Sequence, residues 1–189
     1  MKQNLQQNLQ VSVGIIILLW AEEIADVFLK LNLDRFGILP RQIIGLRGIF
    51  FAPFLHGGFY HLISNTIPLF ILLMTMMTFY RSIWLQVTIF SALMGGLAVW
   101  AFARGGTVHI GASGVIFSLI TFLLASGIFR KSFKSLLIAV AVFLFYGGVL
   151  WGVIPSNPYI SWEGHLFGAA AGVFLAWIYR SEPAVEKTS

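Results

Sequence analysis

The sequence predicts an all-α integral membrane protein, a bundle of six transmembrane helices. Three observations carry that reading. Of 189 residues, 58% are hydrophobic, and 12 Lys+Arg with 7 Asp+Glu supply all the formal charge. Soluble domains are nearer one quarter charged, and disordered chains are more polar still, so both classes are excluded. Next, uncharged runs cover 48–80, 82–103, 105–129, 135–162 and 164–179. A helix needs roughly 20 apolar residues to cross a bilayer. Finally, these runs do not alternate in polarity, as outer-membrane strands must.

The first expected helix covers about 9–31. It carries Glu22, Glu23 and Asp26, and each charge costs at least ~2.5 kcal/mol at a bilayer centre. These acids therefore belong in the outer half, with Asp26 and Lys30 spaced i,i+4 to pair. The alternative is an interfacial first segment and five spanning helices. The same acids stand where a signal peptide would have its small-residue cleavage site, so no such signal is expected. The second helix is expected over 59–80, the third over 82–103 and the fourth over 111–129. The fifth covers 134–154 and the sixth 162–179. The domain reading is a polar N-terminus at 1–10, a membrane-embedded core at 11–180 and a tail at 181–189.

Basic residues in short loops set orientation. Arg81, Arg130, Lys131 and Lys134 flank the junctions between helices two and three and between four and five. Only Arg104 lies between three and four, and neither Lys nor Arg lies between five and six. Both termini are then cytoplasmic. The long loop 32–58 is external, although Arg35, Arg41 and Arg47 there count against the bias. Trp100, Trp151, Tyr159 and Trp162 suit the outer interface, and Tyr80, Trp84, Trp177 and Tyr179 the inner one. The net charge of +5 is explained by these loops without nucleic acid. With no cysteine, disulfides, thiol nucleophiles and thiolate metal sites are excluded.

On this topology His56, His61, His109 and His165 all fall on the outer side. His61 and Asn65 share a helical face at i,i+4, where an Asn is either interhelical glue or a donor to a site. Pro68 frees the Ser64 carbonyl and bends the helix there. The fourth helix opens Gly111-Ala112-Ser113-Gly114. On the sixth, His165, Gly168, Ala169 and Gly172 share one face. Gly164, Gly168 and Gly172 form a small-residue ladder that lets another helix approach closely. Gly111 and Gly114 make the matching surface, so Ser113 and His165 come within hydrogen-bond reach, as a serine activated by a base requires. Taken alone, Ser113 is also explained as a packing contact. Asp26 and Asp34 are distant in sequence and Glu163 projects away from His165, so a dyad is more economical than a triad. The Ser113 N–H at a helix start, with His61 and Asn65, offers donors to an oxyanion.

Together these residues resemble the rhomboid intramembrane serine proteases. The family's His-x4-His-x3-Asn is His56-Gly-Gly-Phe-Tyr-His61-Leu-Ile-Ser-Asn65. Its Gly-x-Ser-Gly is Gly111-Ala112-Ser113-Gly114. Its His-x2-Gly-x3-Gly is His165-Leu-Phe-Gly168-Ala-Ala-Ala-Gly172. The resemblance covers about 48–177 and implies a rhomboid-like bundle. It implies that Ser113 is the nucleophile, His165 the general base and acid, and His61, Asn65 and the Ser113 N–H the oxyanion hole. Gly111, Gly114, Phe117, Gly164, Gly168 and Gly172 are then packing and site support.

The implied activity is hydrolysis of peptide bonds in or near transmembrane segments of other proteins, without metal or cofactor. The implied partners are transmembrane substrates and the lipid bilayer, with no obligatory protein partner. A prokaryotic plasma membrane suits the chain. On family grounds, 155–161 is a movable cover and the fifth helix a lateral gate. Two departures stand out: Phe117 replaces a common Tyr, and Gly45-Leu46-Arg47-Gly48-Ile49 lacks the common Trp-Arg pair. No seventh helix or extended cytosolic domain is seen, so the chain looks like a minimal core. Rival readings are an inactive rhomboid-like protein that holds client helices, and a histidine-lined metal transporter.

Overall fold

The computed structural model describes residues 2–155 and 161–182. The chain runs through α1 (Lys2–Leu29), two 3-10 turns (Leu33–Phe36 and Ile43–Arg47) and the single-turn α2 (Gly48–Phe51). Then come α3 (Phe59–Phe79), α4 (Trp84–Phe102), α5 (Ser113–Phe129), α6 (Phe133–Tyr146) and α7 (Trp162–Ile178). It is an all-α bundle.

α5 is the central element. Val115 through Leu123 are buried without interruption, the mark of a helix enclosed on every side. It packs against α3, α4, α6 and α7, while α1 lies on α3. The outside is as apolar as the inside. Ile63, Ile67 and Ile71 of α3 are exposed, as are Leu136, Val140, Phe143 and Leu144 of α6. Water would not tolerate such faces; lipid requires them. The protein is an integral membrane protein.

The expectation of a multi-pass helical bundle is met, with several long apolar helices; length and composition alone do not single out all six expected spans. Among the described residues, three segments are long and apolar enough to cross a bilayer: Phe59–Phe79, Trp84–Phe102 and Phe133–Val153. α5 and α7 have 17 residues each, about 25 Å of helix against a hydrocarbon core of about 30 Å. α5 is enclosed by protein along most of that length. α1 starts at Lys2, earlier than the expected residue 9, and its polar first turns and three acids dilute its hydropathy. The fifth expected helix is α-helical only to Tyr146 and continues to Val153 as a 3-10 segment. The change falls at Gly147-Gly148, where two residues of poor helix propensity adjoin.

The expected Asp26–Lys30 pair does not form. Asp26 Oδ1 instead accepts the Leu33 N–H at 2.8 Å, and Lys30 takes a left-handed φ of 52° beyond the end of α1. The long loop is held without the family's Trp-Arg pair. Arg47 stacks on the Phe36 ring at 4.4 Å and donates to the Arg35 carbonyl at 2.8 Å. Arg41 donates to the Ala103 carbonyl at 2.7 Å, at the C-terminal end of α4, where the helix dipole favours a cation.

The glycine ladder sets the α5–α7 separation. A Cβ on Gly168 would overlap the Gly114 carbonyl, and one on Gly172 would overlap the Ser118 carbonyl and Thr121 Oγ1. Thr121 Oγ1 donates to the Ala169 carbonyl at 2.8 Å across the same seam. Ser91 of α4 and Ser118 of α5 add a buried hydroxyl pair at 2.6 Å.

Candidate active site

Ser113 is the first residue of α5 and His165 lies in the first turn of α7. Because the glycine ladder brings those helix starts together, Ser113 Oγ and His165 Nε2 stand 3.0 Å apart. The other imidazole nitrogen, Nδ1, is 2.9 Å from the Gly152 carbonyl oxygen. A carbonyl can only accept, so Nδ1 carries the proton. Nε2 of the neutral ring is then an acceptor, and Ser113 donates its hydroxyl hydrogen to it.

Phe117, one helical turn beyond Ser113, lies flat on the imidazole, with centroids 4.2 Å apart and planes 4° apart. Helix periodicity and the Phe117 ring thus hold the imidazole from one side, and the Gly152 carbonyl holds it from another. Gly152 makes a contact to the imidazole that sequence reasoning missed. A backbone carbonyl carries no side-chain signature, so no motif marks it.

Glu163 does not assist His165. It is 3% exposed, and its Oε1 takes the Arg104 backbone N–H at 3.3 Å and pairs with Arg104 Nε at 3.4 Å. The place a third carboxylate would hold is occupied by the Gly152 carbonyl.

His61, Asn65, Ser113, Phe117 and His165 line one cavity of about 770 Å³. Asn65 is 5% exposed, and its Nδ2 is buried without a hydrogen-bond partner. Such an orphan donor is expensive unless something reaches it. The Ser113 N–H, at the first position of α5, has no acceptor within its own helix. Gly111 adopts φ +115°, and a Cβ there would stand 2.6 Å from His61 Cε1, so only glycine lets the loop pass the His61 ring.

The remaining histidines differ. His56 is 1% exposed and meets the His61 ring edge-on at 5.1 Å. Its Nδ1–H donates to the Phe54 carbonyl at 3.1 Å. Burial, then the neighbouring His61, pushes its pKa down to about 4, so the ring is neutral at pH 7. His109 also titrates below the usual histidine range, chiefly from burial, and bonds Ser161 Oγ through Nδ1 at 2.7 Å. Among the described residues no group of three or more His, Asp or Glu is arranged to hold a metal ion. Within the expected cover at 155–161, residues 156–160, Tyr159 included, lie outside the described residues; so do 183–189 of the expected tail.

Comparison with known proteins gives the family. The Rhomboid domain family model matches residues 45–182. An uncharacterized protein of Mycobacterium tuberculosis is 40% identical over 173 residues, covering 86% of this chain and 71% of its own. One of Mycobacterium leprae is 39% identical over 172 residues, covering 85% and 67%. YdcA of Bacillus subtilis, whose name provisionally calls it a rhomboid protease, is 29% identical over 130 residues, covering 66% and 62%. With a family model spanning most of its length and relatives this similar, the chain belongs to the rhomboid family.

Proposed function

We propose that the protein is an intramembrane serine endopeptidase acting through a Ser113–His165 dyad. The observation that carries this reading is the Ser113 Oγ–H directed at Nε2 of an imidazole whose Nδ1–H is held by the Gly152 carbonyl. Ser113 attacks the scissile carbonyl carbon as Nε2 takes its proton. The tetrahedral oxyanion is stabilised by the Ser113 N–H, the Asn65 amide and His61. His165 then gives its proton to the departing amine, leaving an acyl-enzyme. A water molecule, deprotonated by the same Nε2, attacks the ester, and the carboxylic acid product leaves as Ser113 is reprotonated. Both half-reactions need only groups of the chain and water.

In this reading α1 and α3 to α7 all span, α1 with its acids towards the outer side. The organisation is a cytoplasmic N-terminus at 1–10, a protease core at 11–180 and a cytoplasmic tail at 181–189. The active site opens to the external face of a prokaryotic plasma membrane, and the substrates are transmembrane segments of other proteins. The apolar exteriors of α3 and α6 support access from lipid.

The test is cleavage of a helical model substrate by the purified protein in detergent, with fluorophosphonate labelling alongside. Wild type cleaves and labels at Ser113. Ser113→Ala and His165→Ala each abolish the product. Asn65→Ala lowers kcat by about 10²-fold if its amide serves the oxyanion. A wild-type protein that neither cuts nor labels refutes the protease, and helix binding without either leaves the family's non-catalytic alternative. Full activity in either dyad variant refutes the dyad.

A further inference from the structure

We infer that His109 is a positioning residue: by bonding Ser161, it ties the segment leading into Ser113 to the N-terminus of α7 and so sets the Ser113–His165 separation. The inference rests on the serine-protease reading and assigns it a residue outside the three sequence motifs.

His109 precedes Ser113 by one helical turn's worth of chain. Its backbone is fixed first. The His109 N–H donates to the Ile38 carbonyl at 2.9 Å and its carbonyl accepts the Ile38 N–H at 2.9 Å, an isolated antiparallel bridge. Two residues on, the Gly111 N–H donates to the Ala52 carbonyl at 2.8 Å. The segment approaching the nucleophile is therefore pinned to the external loop and cannot slide along it.

The side chain then reaches the other way. His109 Nε2 lies 3.3 Å from the Arg104 carbonyl and 3.3 Å from Thr107 Oγ1. The carbonyl only accepts, so Nε2 bears the proton and Nδ1 is the acceptor of a neutral ring; burial, the chief cause of its lowered pKa, favours that neutral form. Ser161 Oγ, 2.7 Å from Nδ1, must donate its hydrogen there. That leaves the Ser161 oxygen lone pairs for the Gly164 N–H, which donates to it at 3.3 Å. Ser161 is the N-cap of α7, and an N-cap hydroxyl acts as an acceptor. His109 thus fixes the hydroxyl in the orientation that starts the helix.

His165 is in the same turn. Its N–H donates to the Ser161 carbonyl at 3.3 Å. The path from nucleophile to base is short: Ser113, the pinned segment, His109, Ser161, His165. The Arg104–Glu163 contacts make a second strut between the same two segments. Neither strut touches the Ser113 hydroxyl or the His165 imidazole, so their effect is on the geometry of the pair alone. Misplacing reacting groups by about 1 Å costs on the order of 10²-fold in rate.

The experiment compares kcat and KM for wild type, His109→Phe, Ser161→Ala, the double variant and His109→Asn on one helical substrate, with thermal stability measured on each. The Asn amide oxygen falls near the place of Nδ1 and can accept from Ser161. The expected result is that His109→Phe and Ser161→Ala each lower kcat by about 10- to 100-fold with KM within about twofold. The double variant is no slower than the slower single one, because both remove the same hydrogen bond. His109→Asn recovers most of the loss. Wild-type kcat in His109→Phe, or losses that multiply in the double variant, overturns the inference while leaving the protease reading intact. Should His109→Phe fail to fold, Ser161→Ala against His109→Asn decides by the same criteria. A wild-type protein inert to substrate and to fluorophosphonate overturns the protease reading and this inference with it.

Discussion

The Phe117 ring and the His165 imidazole are parallel to within 4°, with centroids 4.2 Å apart. Phe117 comes from α5 and is 3% exposed, so its own position is fixed by the core. It acts as a wall on which the imidazole rests. A flat aromatic surface is what the contact uses; a para-hydroxyl is not needed for it. Phe117→Tyr is therefore expected to keep cleavage within a few-fold. Phe117→Leu keeps an apolar side chain but frees the imidazole to rotate, and is expected to lower kcat by about tenfold with little change in KM. Steady-state kinetics on both variants check this. Equal rates for Phe117→Leu and wild type would show that the Gly152 carbonyl alone orients the base.

Gly152 is the other half of that clamp. A Cβ there would lie 2.8 Å from Phe117 Cζ and 3.2 Å from His165 Nδ1. Gly152→Ala therefore pushes on both groups at once, and the first loss is the 2.9 Å hydrogen bond that sets the imidazole tautomer. The expected outcome is a fall in kcat of about 10-fold or more, with the rate of fluorophosphonate labelling falling in parallel. Bulk stability should change less, because Gly152 sits in the 3-10 segment and not in the core of the bundle. Unchanged labelling refutes the clamp.

How much of this was legible depends on whether a feature is written in side chains. The Ser113–His165 contact follows from two helix periodicities and the small residues at 168 and 172. Those are pattern-level facts. The position of a Cβ on Gly164, by contrast, faces Ser161 and not α5. The family resemblance needs His56, His61 and Asn65 and the Gly111–Gly114 run beside them. Three things were hidden for physical reasons. Gly152 acts through its backbone, which any residue possesses. The enclosure of α5 by other helices is a tertiary fact that hydropathy does not encode. Glu163 faces Arg104 because the α4–α5 loop folds back over the start of α7. The sequence suggested only that it would turn away from His165, and was silent on where it would go.

The ladder itself is testable by substitution. Gly168 meets the Gly114 carbonyl, a backbone group that cannot rotate aside. Overpacking in a core costs about 1–3 kcal/mol, and more when backbone must move. Gly168→Val is expected to lower the thermal midpoint in detergent by several degrees and to abolish cleavage, since the helices carrying Ser113 and His165 are forced apart. Gly14 is the control. It lies in α1 with nothing within 4 Å of an added Cβ, so Gly14→Ala gains about 1 kcal/mol of helix propensity at most and leaves cleavage unchanged. A Gly168→Val protein as stable and active as wild type would mean that the seam is loosely packed.

Acidification separates two loop groups of opposite sign. His56 has its pKa pushed from the ordinary 6.5 down to about 4, by burial and by His61. Between those values the unfolded chain binds the proton and the folded one does not, so His56 makes stability fall as pH drops from about 6.5 to 4. At about 1.4 kcal/mol per unit the effect is of order 3 kcal/mol. Asp34 has its pKa raised from 3.8 to about 6, by burial and then by Asp26. The folded state then binds the proton more tightly, so Asp34 makes stability rise as pH drops from about 6 to 4. The two limbs oppose each other in the wild type. His56→Phe removes the first and leaves the second, so this variant is expected to gain thermal stability, relative to wild type, between pH 6.5 and 4.5. Asp34→Asn removes the second, and is expected to lose stability over the same interval more steeply than wild type. Thermal midpoints measured across that range check both slopes; parallel curves for the three proteins would mean that neither group changes its proton affinity on folding.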